Sequence, residues 1–307
     1  MTRYDVLVFG DLNIDVVMYV SKLPEPDKDI QATNLRIRPG GVGYNVSIAL
    51  KELGLTPYLI ASVGNDVFGQ YIIKKMEEAG LEVSSVRLVN GVETGLVSIL
   101  VLPNGTKAMT SFRGANKHTT ITTQDLKILS SVKHVHVSGY TLLNTDEGAA
   151  TLKILNEASK LGITRSIDLE GVAFSGLDKV LKIKGLTDYV FTNKEELKTL
   201  IKHEVLESGS KIHELLKPKT TIVKLSEEGS IAFTSSGIIK QEPYRIKVIN
   251  CTGAGDAFNA GFIYGSLMSL DLHSILRIAN ALGARKCCED SEDCIKLSEV
   301  LTELSIK

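Results

Sequence analysis

The chain has no tryptophan, four cysteines and only seven prolines among its 307 residues. Three of the cysteines, Cys287, Cys288 and Cys294, lie together near the C-terminal end, unlike the spaced cysteines of a secreted disulfide framework. The sequence also lacks a CxxC pair with a nearby histidine, which is the usual start of a zinc site. We therefore expect these three and Cys251 to be buried or unreactive thiols.

An excess of charge of one sign is missing as well. The 35 basic and 36 acidic residues leave a formal charge of −1, so charge gives no reason to expect a nucleic acid or an anionic membrane as a partner. The chain has no apolar run long enough to span a bilayer, and residues 4–10 form a strand pattern rather than a signal peptide. We expect a cytoplasmic protein with small-molecule partners.

Two familiar nucleotide-binding motifs are also absent or incomplete. No stretch matches the P-loop pattern GxxxxGK followed by serine or threonine. The Gly-x-Gly of residues 253–255 has Phe258 where a dinucleotide fingerprint has its third glycine, and it lies far from the first strand. A dinucleotide-dependent dehydrogenase remains an alternative that rests only on an α/β pattern and this Gly-x-Gly.

What the chain does have is a regular alternation of short β-rich segments with longer helical ones. This alternation predicts βαβ units, a parallel sheet and a single α/β domain over residues 1–307. The predicted strands cover residues 4–10, 57–63, 135–138, 164–168, 189–192 and 221–225. The predicted helices cover residues 43–53, 66–79, 146–161 and 194–202.

Two segments, about 12–38 and 91–114, interrupt this alternation. Residues 94–113 have the pattern strand, turn, strand, and the Asn104-Gly105 pair is a strong hairpin signal. Strands without an intervening helix indicate a small sheet that stands apart from the main one. Such a sheet serves as a lid over an active site, although a structural flap or a dimer surface fits the same pattern.

Residues 245–262 carry the strongest chemical signal, with the pattern strand, small-residue turn, helix. The turn Gly253, Ala254 and Gly255 would leave free backbone amides at a helix start, which is an anion-binding arrangement. Asp256 would lie in the first turn, where the helix dipole stabilises its ionised form. A carboxylate base beside an anion hole suits phosphoryl transfer, whereas an ordinary capped turn is the alternative.

A second glycine-rich stretch, residues 39–45, also precedes a predicted helix. Gly40 and Gly41 allow a ligand to approach the backbone closely, and the Asn45 amide can bond to hydroxyl groups. Upstream, alternate positions of an extended segment carry polar side chains that face one way and can converge on a sugar, namely Asp11, Asn13 and Asp15. A polar strand end followed by a turn is the alternative.

These motifs resemble the two signatures of the ribokinase-like (PfkB) carbohydrate kinase family, in the same order and at a similar separation. The similar stretches are Gly-Gly-Val-Gly-Tyr-Asn at 40–45 and Thr-Gly-Ala-Gly-Asp-Ala-Phe at 252–258. Gly-Asp-Leu-Asn-Ile-Asp at 10–15, Asn-Lys-Glu-Glu at 193–196 and the segment 224–229 extend the resemblance over essentially the whole chain.

The resemblance implies a ribokinase-like three-layer sandwich: a central, mostly parallel sheet flanked by helices, with a small β-sheet lid from the two interrupting segments. It implies a phosphotransferase that moves the γ-phosphate of ATP or another nucleotide to a hydroxyl of a sugar or nucleoside. Asp256 would be the base, and the backbone of 253–256 would be the anion hole. By analogy with ribokinase, the chain would form a homodimer through the lid.

The resemblance also implies two groups of binding residues. The acceptor side comprises Asp11, Asn13, Asp15, Gly40, Gly41, Asn45 and Arg113. The nucleotide side comprises Asn193, Glu196, Lys224, Ser226, Gly229, Thr252 and Asn280, with Mg²⁺ held by Glu196 through water.

Three departures from the family pattern concern the cation and the nucleotide. Asn250 stands where many members have an aspartate that in ribokinase helps to bind a monovalent cation, so activation by K⁺ is in doubt. Ser226 replaces a frequent glycine, and residues 287–293 differ from the usual small-residue loop. A non-catalytic sugar- or nucleotide-binding protein on the same fold is therefore the alternative function.

The sequence leaves the acceptor open among a free pentose or hexose, a nucleoside, a phosphorylated sugar and a keto-acid sugar. Arg113 is the one clear cationic candidate in the expected pocket, and a solvated charge at a strand end explains it equally well. A neutral sugar or nucleoside is therefore favoured.

Overall fold

The computed structural model describes residues 4–288 and 294–303. The strands are β1 Val6–Phe9, β2 Asn13–Tyr19, β3 Asn34–Gly40, β4 Pro57–Gly64, β5 Val86–Val89, β6 Gly95–Val101, β7 Lys107–Phe112, β8 His134–Ser138, β9 Thr164–Asp168, β10 Tyr189–Asn193, β11 Thr220–Lys224, β12 Ser230–Thr234 and β13 Gly237–Gln241. The helices are α1 Val42–Glu52, α2 Val67–Glu78, α3 Thr123–Leu129, α4 Ala149–Lys160, α5 Glu170–Ala173, α6 Leu177–Leu181, α7 Lys194–Ile201, α8 Val205–Leu216, α9 Ala254–Leu267, α10 Leu272–Cys288 and α11 Leu297–Glu303.

The main sheet has nine strands in the order β13-β12-β11-β10-β9-β8-β1-β4-β5. Neighbours from β5 to β11 are parallel, and β12 and β13 add an antiparallel edge. The central strands β1 and β4 are buried along their whole length, which is expected where helices cover both faces of a parallel sheet. The sheet predicted from the βαβ pattern is therefore confirmed.

Separate apolar clusters cover the two faces of this sheet. One cluster joins the sheet to α3 and α4 through Leu129 and Ile154 and continues to α8. The other face is covered by α1, α2, α9 and α10, with Leu50, Ile72 and Phe262 among the buried side chains. The helix–sheet–helix layering confirms the predicted three-layer sandwich.

The two segments that interrupt the βα alternation form a second sheet, in the order β3-β2-β6-β7. Strands β6 and β7 pair in antiparallel register from Val101 opposite Lys107 to Leu96 opposite Phe112. Gly105 has a φ of +81° in the turn between them, a conformation that favours glycine. The predicted separate sheet is confirmed, and we call it the lid.

The structure corrects two expectations near the C-terminal end. Residues 245–249 do not form a strand, because the segment bonds instead to helix α10: the Ile249 and Asn250 amides both donate to the Cys287 carbonyl oxygen, at 2.8 and 3.1 Å.

The cysteines are not free thiols either. Two disulfides join Cys251 to Cys287 and Cys288 to Cys294, because the end of α10 lies beside the loop before α9. Residues 289–293, which belong to the loop that differs from the family pattern, lie outside the residues that the structure describes.

Among residues 4–288 and 294–303, none of the helices has the length and apolar character needed to cross a membrane. The longest helix, α10, carries Arg285 and Lys286 in its last turn.

Candidate active site

The predicted small-residue turn opens helix α9. Gly253 is the N-cap residue with a φ of +82°, and the helix begins at Ala254. The backbone amides of Gly255 and Asp256 donate to none of the residues that the structure describes. Two free N–H groups at the positive end of a 14-residue helix have the arrangement of an anion site, and the predicted role of this turn as the anion hole stays a prediction.

Helix α1 brings the second glycine-rich stretch against this turn. The Asn45 side-chain amide donates to Asp256 Oδ2 at 2.8 Å, across 211 residues of sequence. Gly41, which precedes α1, has a φ of +87°, and a Cβ there would lie 2.5 Å from the Asp11 carbonyl oxygen. Only glycine fits this position, because a side chain would push α1 away from the first strand. The two predicted motifs therefore converge on Asp256.

The Asp256 carboxylate lies in a nearly water-free position, with 9 % of the residue exposed. Burial raises its pKa to about 7, whereas the Asn45 hydrogen bond and the Lys224 charge act in the opposite direction. Because the pKa of a general base is most useful near the working pH, this carboxylate is suited to accept a proton at neutral pH.

Lys224, at the end of β11, places its ammonium beside the same turn. A Cβ on Gly255 would lie 3.3 Å from Lys224 Nζ. The ammonium forms an ion pair with Asp168 Oδ2 and lies 3.5 Å from Asn259 Oδ1. Although burial opposes it, the charges of Asp168 and Glu196 raise the pKa of Lys224. A permanent positive charge therefore lies next to the free amides.

Sequence reasoning missed Asp168, Glu170 and Asn259. Asp168 ends β9, where its Oδ2 also accepts a hydrogen bond from Asn259 Nδ2 at 2.6 Å. Glu170 accepts one from Ser138 at 2.6 Å, and burial together with Asp168 and Asp256 raises the pKa of Glu170 well above its usual value. Asp168 and Glu170 lie at and just after the carboxyl end of a predicted strand, where ligands of parallel sheets bind, and Asn259 lies one helical turn after Asp256.

Asn193 and Glu196 form a capping box at the start of α7. The Asn193 side chain accepts a hydrogen bond from the Glu196 amide, and Glu196 accepts one from the Asn193 amide at 3.1 Å. Thr192 also donates to Glu196 Oε2 at 3.0 Å. Burial and the Asp168 charge raise the pKa of Glu196 to about 6. The predicted Asn-x-x-Glu pair thus lies near Asp168 at the carboxyl ends of the strands.

Asp15 points from the lid toward the site. Burial raises the pKa of Asp15 to about 6, although the Arg38 guanidinium, whose Nε lies 3.9 Å away, opposes the shift. A Cβ on Gly40 would lie 2.4 Å from the Asp15 carboxyl group, so glycine is needed there. The charge of Asp15 contributes to the raised pKa of Asp256, so the two carboxylates share the crevice.

Arg113 and Asp11 bind each other rather than standing open to the crevice. Two guanidinium nitrogens of Arg113 donate to the two Asp11 oxygens at 2.9 Å, and one also donates to Asn144 Oδ1 at 2.9 Å. Asn13 is held in a similar way, because its Oδ1 accepts from Asn116 Nδ2 at 2.8 Å. Arg113 and Asp11 thus join the end of lid strand β7 to the segment after β1, and the predicted role of Arg113 stays a prediction.

Three more of the predicted nucleotide residues lie in the turn after β11 and on α10. Ser226 lies in the turn after β11, and Gly229 has a φ of +83°, where a Cβ would lie 2.1 Å from the Gln241 carbonyl oxygen. Asn280 of α10 donates to the carbonyl oxygens of Gln241 and Glu242, at 3.3 and 3.0 Å. In this structure Asn280 therefore fixes the segment after β13.

A cavity of about 220 Å³ opens beside the α9 turn. Its lining includes Arg38, Asn45, Gly253 and Lys286. Asp256 does not line it directly, but Asn45 connects the cavity to the Asp256 carboxylate through the hydrogen bond given above. The cavity thus has the Arg38 side chain on the lid side, Lys286 on the α10 side, and Asn45 toward the Asp256 carboxylate.

The chain is similar over most of its length to known carbohydrate kinases. The family model described as "pfkB family carbohydrate kinase" matches residues 3–293. The chain is 32 % identical over 279 residues to an ATP-dependent ribose-1-phosphate kinase of Halopiger xanaduensis, covering 91 % of this chain and 90 % of that protein. It is 23 % identical over 295 residues to an ATP-dependent 6-phosphofructokinase of Thermoanaerobacterium thermosaccharolyticum, covering 92 % and 88 %.

Among solved structures, a ribokinase of Arabidopsis thaliana in complex with ribose and ATP has the same fold. It superimposes with a TM-score of 0.83 over 100 % of both chains, at 23 % sequence identity. The mostly parallel central sheet and the separate small sheet are therefore the ribokinase fold.

Proposed function

The chain belongs to the pfkB family of carbohydrate kinases, and we propose that it transfers the γ-phosphoryl group of ATP to a sugar hydroxyl with Asp256 as the general base. One observation carries this proposal: the buried Asp256 carboxylate lies in the same helical turn as two backbone amides without a protein acceptor. A sugar- or nucleotide-binding protein without activity needs no such base. The ATP-dependent relatives support ATP as the donor.

In the proposed reaction, the acceptor hydroxyl gives its proton to Asp256 while its oxygen attacks the γ-phosphorus. A new P–O bond forms, the bond to the bridging oxygen of ADP breaks, and ADP leaves with that electron pair. The Gly255 and Asp256 amides hold the negative charge on the transferred group, and Lys224 adds a fixed positive charge. Asn45 holds the carboxylate in position for the proton transfer.

The family also implies Mg²⁺, and the residues fit a hydrated ion. Asp168 Oδ1 is buried without a hydrogen-bond partner among the described residues. The pKa values of Glu170 and Glu196 are raised by burial and by Asp168, so a cation nearby would stabilise their ionised forms. Because Mg²⁺ keeps several water ligands, it would be held by Glu196 and Asp168 through water and would neutralise charge on the phosphates.

The pH dependence of kcat/KM provides a direct test of the base. Asp256 must be ionised to accept a proton, and burial raises its pKa to about 7. We therefore expect kcat/KM to rise with pH, to reach half of its maximum near pH 7 and to level off above it. Steady-state kinetics from about pH 5.5 to about pH 8.5 measure this. A flat profile, or one that falls through pH 7, would contradict the assignment.

The charges around the cavity favour an acceptor that already carries a phosphate group. By strand register, Arg38 lies on the lid face that also carries Asp15, and its Nε is 3.9 Å from Asp15 Oδ2. Arg38 also lines the cavity beside Asn45. A neutral sugar makes no use of this positive charge, whereas a phosphorylated sugar does. The 32 % identical relative is named for ribose 1-phosphate, which is such a molecule.

A coupled assay of ADP formation across free sugars, nucleosides and sugar phosphates tests both parts of this proposal. We expect turnover that depends on the acceptor and on Mg²⁺, with a higher kcat/KM for phosphorylated pentoses than for the matching free pentoses. Higher turnover of a free sugar or nucleoside would overturn the proposed acceptor class but would leave the proposed kinase activity intact. Binding of acceptors without turnover for any of them would favour the non-catalytic alternative.

Two further predictions from the sequence stay predictions. The cytoplasmic location rests on the sequence alone. The homodimer through the lid is supported by three apolar side chains that register places on the other lid face, Leu35, Ile37 and Phe112, each about half exposed.

A further inference from the structure

A lysine of the lid reaches the loop before the anion site. Lys107 begins β7, directly after the hairpin turn, and its ammonium donates to Asn250 Oδ1 at 2.7 Å and to Thr252 Oγ1 at 2.6 Å. These partners are 143 and 145 residues away in sequence. Burial, together with the charge of Arg38, lowers the pKa of Lys107. The contact therefore holds a charged ammonium in a partly buried position. Charge-assisted hydrogen bonds to the two oxygens offset the cost of this burial.

The two oxygens that Lys107 contacts organise the backbone of the turn. Asn250 Oδ1 also accepts from the Thr252 amide at 3.0 Å and from the Thr252 hydroxyl at 2.9 Å. On the other side, the Asn250 amide is fixed by the Cys287 carbonyl oxygen. Gly253, the N-cap of α9, follows at once. Whatever holds Asn250 and Thr252 therefore also sets where the free amides of α9 point.

The same strand is tied to the site at both ends. Lys107 at its start bonds to the loop before α9, and Arg113 just beyond its end bonds to Asp11 after β1. The β7 strand thus spans the crevice between the anion site and the acceptor side. A lid that moved away from the crevice would break the Lys107 contact and release the turn.

We propose that Lys107 is a positioning residue whose ammonium acts as a built-in cation, fixing the 250–253 turn and hence the anion hole while the lid covers the acceptor. This role rests on the phosphoryl transfer proposed above. The sequence left open whether a monovalent cation binds near Asn250, and in this structure the ammonium of Lys107 takes the Asn250 side-chain oxygen. The protein supplies from its own lid the positive charge that an external ion would otherwise provide.

Replacing Lys107 with alanine tests the proposal, because it leaves a space that a small cation can enter. We expect kcat to fall about tenfold to a hundredfold, the range for a lost charge-assisted hydrogen bond, with little change in KM for ATP. Ammonium chloride should restore part of kcat, whereas sodium chloride of equal ionic strength and the bulky tetramethylammonium ion should not. The conservative Lys107→Arg variant should keep more activity than Lys107→Met, which fills the space without a charge.

A second measurement does not depend on turnover. Hydrogen–deuterium exchange of the 250–256 amides should be faster in Lys107→Ala and slower again with ammonium. The control Lys28→Ala removes the same charge from an exposed lysine that pairs with Glu25 in the loop between lid strands β2 and β3, and it should change neither kcat nor this exchange. Unchanged exchange of 250–256 in Lys107→Ala, or a Lys107→Met enzyme with wild-type kcat, would overturn the role of Lys107. Lack of turnover in the wild type would instead contradict the proposed kinase activity.

Discussion

Replacing Asp256 with asparagine is expected to lower kcat about 10²- to 10⁴-fold, the usual contribution of a general base. Asparagine has nearly the same shape, and its side-chain oxygen can still accept the hydrogen bond from Asn45. It cannot accept a proton from the acceptor hydroxyl. The KM for ATP should change little, because the amides of the α9 turn remain in place. Steady-state kinetics at saturating acceptor measure the effect.

Stability separates this loss of chemistry from a loss of folding. Burial raises the pKa of Asp256 from 3.8 to about 7, so the folded protein binds this proton more tightly than the unfolded chain. The resulting stabilisation is complete below pH 3.8 and is lost as the pH rises through about 7. Above that pH the ionised carboxylate is a cost that asparagine does not carry. The variant should therefore be at least as stable as the wild type at pH 8.

A matched control is Asp271→Asn at the start of α10. Asp271 caps that helix by accepting from the Ser274 amide at 3.1 Å, and it lies beyond the opposite end of α9 from Asp256. Asparagine is also a good N-cap residue, so this variant should keep wild-type kcat. An Asp256→Asn enzyme with kcat within a factor of about two of this control would show that another group takes the proton.

The sequence was sufficient where local patterns decide the structure. Strand β9 begins and ends at the predicted residues 164 and 168, and the hairpin at Asn104-Gly105 forms where its turn residues predict it. The pairing of Asn45 with Asp256 was implied only by the family resemblance, because α1 follows the antiparallel lid strand β3 and α9 follows a segment that is not a strand.

What could not be predicted depends on contacts between distant segments. Asp168 and Glu170 carry no motif, and their importance follows from β9 and β11 flanking β10 in the sheet, which brings Lys224 to Asp168. In the sequence Lys107 is an ordinary lysine beside a hairpin turn, and its contact with Asn250 follows only from the position of the lid. Cys251 and Cys287 are 36 residues apart, and only the packing of α10 against α9 brings them together.

Lys224→Met is expected to reduce both stability and activity. The side chain of Asp168 is 1 % exposed, and Lys224 is its cationic partner. Removing one member of a buried pair leaves an uncompensated charge, which costs roughly 3–5 kcal/mol in the free energy of unfolding. Loss of the charge beside Gly255 should also lower kcat about 10²- to 10³-fold, as for one removed oxyanion-hole donor. Urea denaturation and steady-state kinetics measure the two effects separately.

The double variant Lys224→Met/Asp168→Asn decides whether the loss of activity is only a consequence of the loss of stability. Asparagine at 168 removes the unpaired charge but can still accept the hydrogen bond from Asn259 Nδ2, so the free energy of unfolding should return toward the wild-type value. The rate should not return, because no cation then stands beside the Gly255 amide as the phosphoryl group moves. The Asp168→Asn single variant, measured beside it, gives the part of the loss that belongs to the proposed Mg²⁺ site. If the double variant recovered both stability and kcat, Lys224 would be a structural partner of Asp168, and the anion hole would consist of the α9 amides alone.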